Sequence, residues 1–129
     1  MQEYGAERLD RMFALRSFLD AGIRATMSSD YPPGPFEPMM FLQSSVTRTD
    51  RKGNVWGPGQ RIQIAEALQV ATMHGAYASF EENLKGSIEA GKLADLVVLG
   101  RDPMREDPAS LVTIPVERTM AGGSWTFEA

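Results

Sequence analysis

Gly86-Ser87-Ile88-Glu89-Ala90-Gly91-Lys92-Leu93-Ala94-Asp95-Leu96-Val97-Val98-Leu99 is the stretch on which the reading of this chain turns. Gly86 and Gly91 punctuate it, and Leu96 to Leu99 is a short apolar run with a β-branched centre, the pattern of a buried strand. Upstream of Lys85 the apolar residues recur mainly at helical spacing. That change of texture places a boundary near Lys85, with residues 1–85 mostly helical and residues 86–129 rich in β-structure. Within the second portion Val112 to Met120 reads as a strand. Gly122-Gly123 supplies the positive-φ pair of a tight hairpin, and Ser124 to Phe127 supplies its return strand.

Working back towards the N-terminus, Leu9, Met12, Phe13, Leu15, Phe18 and Leu19 form an apolar stripe that predicts a helix from Glu7 to Asp20, ended by Ala21 and Gly22. Ile23, Ala25 and Met27 then alternate with Arg24, Thr26 and Ser28, which predicts a strand and, with the helix before it, an α/β unit. Ser28-Ser29-Asp30-Tyr31-Pro32-Pro33-Gly34-Pro35 follows as a stiff loop whose prolines exclude helix and central strand. A helix is expected from Pro38, a suitable first-turn residue, towards Arg48. Asp50 to Gln60 reads as a surface loop. Ile64, Ala65, Leu68 and Ala71 restore helical spacing, Gly75 is the expected bend, and Ala76 to Glu82 the short helix after it.

With 129 residues, 43% of them hydrophobic and 23% charged, the chain has the material for one ordinary globular domain rather than a disordered tail. It has no cysteine, which excludes disulfides, thiolate metal sites and cysteine nucleophiles. No apolar run reaches the ~18 residues of a spanning helix, and Met1 to Asp10 is too polar for a secretory leader, so a soluble, cytoplasmic protein away from membranes is expected. A net charge of −4 with scattered basic residues argues against nucleic acid as a partner.

Asp30 is the most suggestive side chain for chemistry. It sits where a short strand exits into a proline-stiffened loop, and barrel enzymes place catalytic groups at such strand ends. A fixed carboxylate there suits metal binding or general base work, and the bland alternative is an aspartate capping a turn through backbone amides. His74 is the only histidine, so no His-x-His metal pair exists, and in its helical context a structural or surface role is the expectation. Gly57-Pro58-Gly59 lacks the residues of a phosphate or dinucleotide loop, leaving no cofactor-binding residue to nominate. The dispersed methionines suit core packing. Glu81-Glu82 and Glu106-Asp107 are neighbours whose side chains diverge on a helix, and they read as solvated faces.

Ser28-Ser29-Asp30-Tyr31-Pro32, Glu66-Ala67-Leu68 leading to Ala76-Tyr77-Ala78, and the Gly86–Leu99 stretch together resemble the C-terminal part of the amidohydrolase superfamily, closest to its amidohydrolase-3 branch. The resemblance runs in order from about Met12 to Phe127. It implies an α/β fold: the last strand and helices of a (β/α)8 metal-dependent hydrolase barrel, plus part of a small β-sandwich. It further implies a divalent metal such as zinc in the complete enzyme and a small-molecule amide substrate. Asp30 matches the aspartate that ends the eighth strand, binds the metal and shuttles a proton. Tyr31 and Phe36 lie on the loop able to touch substrate, while Lys92 and Asp95 are structural.

The family's His-x-His pair, its bridging lysine or glutamate and its later histidines have no counterpart in this sequence. A barrel takes about 250 residues and a hydrolytic zinc ordinarily three protein ligands, so the isolated chain is expected to be inactive and to hold no metal. Two readings follow. One is a C-terminal fragment of an amidohydrolase; the other is a stand-alone, noncatalytic interaction module. Both expose apolar faces and strand edges, so a homo-oligomer is expected.

Overall fold

Pro38 opens the best-formed helix of the computed structural model, which describes residues 5–129. Its fixed φ suits a first turn, and its missing amide costs nothing where no intrahelical acceptor exists. This helix, α3 (Pro38–Thr47), turns Met39, Leu42 and Ser45 inward and stops at Arg48, whose φ of 58° ends the right-handed winding. Before it come α1 (Ala6–Leu9) and α2 (Leu15–Asp20), and after it α4 (Ile64–Ala71) and α5 (Met73–Ala78). The Glu66 carboxylate reaches back to the Gln63 amide at 2.7 Å, satisfying a donor that the first turn of α4 leaves without a partner. Ala67 and Val70 of α4 then meet Met39 and Leu42 of α3, with Ile62 between them.

The core is completed from the C-terminal portion. A 3-10 helix at Pro108–Thr113, capped by Asp107 accepting from the Ala109 amide at 2.8 Å, brings Leu111 and Ile114 into the same cluster. Gln43 on α3 accepts from the Val112 amide at 2.9 Å and fixes the register of this contact.

Three antiparallel strands, β1 (Leu96–Leu99), β2 (Val116–Ala121) and β3 (Ser124–Glu128), form a sheet in the order β1-β2-β3. Val97 stands opposite Thr119 and Thr119 opposite Phe127. Gly122 and Gly123, at φ 55° and 84°, make the expected hairpin. Asp95 accepts from the Gly122 amide at 2.8 Å, tying that turn to the start of β1.

Several sequence expectations are corrected. The helix expected over 7–20 is interrupted, because Phe13 takes φ 51° and its carbonyl and that of Met12 turn towards the Arg48 guanidinium. The expected strand from Ile23 to Ser28 belongs to no ladder: the Ala25 amide donates to the Ile23 carbonyl at 3.0 Å, and none of the described strands lies beside the segment. The bend falls at Thr72 rather than Gly75: the Thr72 hydroxyl donates to the Leu68 carbonyl at 2.8 Å, a local competitor for helical bonding. The helix expected over 76–82 stops at Ala78, and Phe80 follows at φ 59°. The strand expected from Val112 starts only at Val116, because Pro115 has no amide to give a ladder. Leu96–Leu99 is a strand, yet Val97 is 60% exposed because no second layer among the described residues covers that face.

No helix among the described residues is long and apolar enough to cross a membrane. The chain exposes 8868 Å², about 2,000 Å² more than the roughly 6,800 Å² that surface-to-mass scaling gives for a compact monomer of this size.

Candidate functional site

The segment from Ile23 to Asp30 is held in place from behind at successive points. The Arg24 guanidinium stacks over the Tyr77 ring at 4.3 Å. Nδ1 of His74 lies 2.9 Å from the Ala25 carbonyl oxygen, so Nδ1–H donates there. Ser45, buried on α3, lies 2.9 Å from the Met27 sulfur. The His74 contact ties the 23–30 segment to α5.

Asp30 stands at the end of this segment, exposed, with φ 51°. Aspartate adopts this left-handed conformation more readily than most residues. Two hydroxyls shape the turn: Ser28 Oγ accepts from the Asp30 amide at 3.3 Å and Ser29 Oγ from the Tyr31 amide at 3.1 Å. The Gly34 amide donates to the Asp30 carbonyl at 3.4 Å, and a Cβ at Gly34 would lie 2.2 Å from the Ser29 carbonyl oxygen, so only glycine lets the loop curl back this closely. Tyr31 and Phe36, 66% and 67% exposed, meet edge to face at 6.1 Å beside Asp30. The Asp30 carboxylate itself receives no hydrogen bond from the described residues.

Asp30 lies on the rim of a largely apolar groove of about 800 Å³, walled by Met12, Phe13, Phe18, Phe41 and Met27. Arg48 secures one wall. Its guanidinium donates to the carbonyls of Met12 at 2.7 Å, Phe13 at 3.3 Å and Trp56 at 2.9 Å, and it lies 5.9 Å from the centre of the Phe13 ring. Partial burial pushes its pKa down.

Asp50, on the same groove, organises the 50–60 loop, for which the sequence predicts only a surface connection. Its carboxylate accepts from Asn54 Nδ2 at 3.0 Å, Trp56 Nε1 at 2.9 Å and the amides of Lys52 and Asn54 at 2.8 and 2.9 Å. Those donors, Asn54 and Trp56 foremost, hold its pKa far below the usual carboxylate range. The signal lay in the sequence as an Asp followed by Gly53-Asn54, a turn signature with an acceptor at its head. Arg16 donates to both Glu66 oxygens at 2.8 Å and pairs with Asp20, joining α2 to α4. The Gln63 amide first, and then Arg16, hold the Glu66 pKa low.

A divalent metal needs more than this arrangement offers. Among the described residues no cluster of three His, Asp or Glu side chains could hold an ion. His74 is committed to the Ala25 carbonyl, five residues before Asp30 in the chain. The residues present do not fit a metal by themselves; Asp30 offers one oxygen donor group on a fixed turn beside an apolar wall.

The amidohydrolase family model matches residues 1–127. N-substituted formamide deformylase of Arthrobacter pascens is 37% identical over 118 residues, an alignment covering 92% of this chain and 22% of that protein. The putative amidohydrolase YtcJ of Bacillus subtilis is 29% identical over 127 residues, covering 96% and 24%. The crystal structure of an amidohydrolase from Thermotoga maritima shares the fold at 22% identity with a TM-score of 0.68, over 89% of this chain and 26% of that one. The chain belongs to the amidohydrolase family and spans about a quarter of the length of the relatives it matches.

Proposed function

We propose that this chain is the C-terminal part of a metal-dependent amidohydrolase that hydrolyses carbon–nitrogen bonds of small non-peptide amides. In this reading residues 1–85 are the last strand and helices of the barrel, and residues 86–129 are part of a small sandwich. The observation that carries it is the placement of Asp30: a carboxylate without a hydrogen-bond donor of its own, on a turn built by Ser28, Ser29 and Gly34, at the rim of an apolar groove. Asp30 contributes one carboxylate to a centre whose other ligands come from sequence this chain does not carry. Tyr31 and Phe36 present an aromatic edge to substrate beside it. The chain alone is inactive, because one carboxylate cannot hold a hydrolytic metal.

The relative named for deformylating N-substituted formamides supplies the test. A single-chain chimera, in which this chain replaces the matching segment of the Arthrobacter deformylase, is assayed on an N-substituted formamide and analysed for bound metal. Turnover and metal that both fall at least 100-fold in the Asp30→Asn chimera, with its thermal unfolding unchanged, support the reading. A folded chimera indifferent to Asp30→Asn overturns it.

A second reading, a noncatalytic module that pairs with its own copies, is supported by the excess exposed surface and by Val97 and Phe127 on the open sheet face. It predicts a dimer or larger species in sedimentation at micromolar concentration; a monomer there refutes it.

A further inference from the structure

A second pocket, of about 250 Å³, lies between the end of α2 and helices α4 and α5, and it shares no lining residue with the groove that Asp30 borders. Leu19 and Ile23 give it an apolar wall; Arg24, Glu66, Gln69 and His74 give it a polar one. Two of these polar groups are already engaged. The Glu66 carboxylate accepts from Arg16 on both oxygens at 2.8 Å and from the Gln63 amide at 2.7 Å, and Nδ1–H of His74 donates to the Ala25 carbonyl. Arg24 is fixed but not paired. Its guanidinium lies 4.3 Å from the centre of the Tyr77 ring, and no acceptor among the described residues takes its N–H groups. The Gln69 side-chain amide also has no hydrogen-bond partner among the described residues. A guanidinium stacked on a ring keeps its donors in its own plane, free at the edge, in the fork that matches a carboxylate. The stacking also restricts the side chain beforehand, so a ligand there costs less conformational entropy than one bound by an arginine hanging in solvent.

We infer that this pocket binds a small organic carboxylate, with the Arg24 guanidinium and the Gln69 amide donating to its oxygens and Leu19 and Ile23 covering its hydrocarbon part. Charge decides the class of ligand. Arg16 offsets Glu66, so Arg24 leaves the pocket with a single uncompensated positive charge. A monoanion matches that charge. A dianion such as inorganic phosphate would bring its second charge towards the Glu66 carboxylate with no further cation lining the pocket to offset it, and a neutral molecule would leave the guanidinium unused. The site involves neither Asp30 nor a metal, so it stands or falls independently of the proposed function.

The probe is butyrate, titrated at constant ionic strength and neutral pH into the nitrogen-15-labelled chain while the Arg24 Nε–H and Gln69 Nε2 resonances are followed by NMR. Saturation at both resonances with a common Kd below about 5 mM is expected. Butyramide, the neutral isostere, and inorganic phosphate should each bind at least about 10-fold more weakly. Gln69→Glu breaks no side-chain hydrogen bond of the described residues and sets a second carboxylate beside the ligand. It should weaken butyrate at least about 10-fold while the unfolding midpoint stays within about 2 °C of the parent. Arg24→Lys keeps the charge but loses the planar fork, and should weaken butyrate at least about 5-fold. A weaker Kd for the parent, or shifts at other residues only, overturns the inference. Butyramide within 10-fold of butyrate reduces the pocket to an apolar cleft, and phosphate within 10-fold reduces it to unspecific charge; each overturns the inference. So does butyrate binding that Gln69→Glu leaves unchanged.

Discussion

Leu111 joins the C-terminal portion to the helices, and Leu111→Ala tests how much of the fold's stability runs through that join. Its side chain is fully buried, among Met39, Leu42, Ile62, Val70 and Ile114. Truncation removes three carbons' worth of apolar transfer energy and leaves a cavity lined by side chains that helices α3 and α4 hold in place. Leucine-to-alanine changes at such sites cost about 3 to 5 kcal/mol. The lower half of that range is expected, because the core holds few buried residues and its neighbours can settle partly into the space. For a chain of this length about 3 kcal/mol corresponds to a fall of roughly 10 °C in Tm. The assay is urea unfolding followed by far-UV circular dichroism, with the slope against urea unchanged and the midpoint lowered. Ile88→Ala, at a residue 88% exposed, is the control and should stay within about 0.5 kcal/mol. A loss below about 1 kcal/mol for Leu111→Ala would refute the reasoning, since it would mean that the 3-10 segment and the helices do not share one cooperative core.

Two further outcomes follow from the groove's supports. Asp50 has its folded pKa depressed by the Asn54 and Trp56 donors, so its contribution to stability is full above the unfolded carboxylate pKa of about 4 and is lost as pH falls from there towards the folded value. Acid unfolding monitored by Trp fluorescence should therefore show Asp50→Asn losing most relative to the parent at pH 6 and least near pH 2; a constant difference across that range contradicts the assignment. Arg48→Gln strips charged donors from the Met12, Phe13 and Trp56 carbonyls and should cost about 2 kcal/mol. Hydrogen exchange in the 10–14 segment should accelerate in this variant, and unchanged exchange there would show that Arg48 does not hold that wall.

Local chemistry made much of the chain legible before any coordinates. Pro38 as a helix start, a helix opening at Ile64, the Gly122-Gly123 hairpin and the Leu96–Leu99 strand each depend on residues within a few positions of one another, and each is found where expected; the stripe read from Ile64, Ala65, Leu68 and Ala71 is corrected, because α4 buries Ala67 and Val70 and exposes Ala65 and Ala71. The family was legible for the same reason: the Gly86–Leu99 stretch and the Ser28–Pro32 turn are continuous in sequence, and the amidohydrolase family model matches the chain that contains them.

What the tertiary structure alone decided depends on groups far apart in the chain. Arg48 bends the segment that its own apolar stripe would have kept helical, because a guanidinium between carbonyls outweighs the spacing of Leu9, Met12 and Leu15. Asp50 becomes a structural hub only once Trp56 folds back onto it. Ile23 to Ser28 has the alternation of a strand but no ladder, since alternation is a property of one segment and pairing a property of two. Asp30 was marked by its sequence neighbours as a carboxylate on a stiff turn; that it stands at the rim of an apolar groove, with His74 committed elsewhere, was settled by packing among α2, α3 and α5.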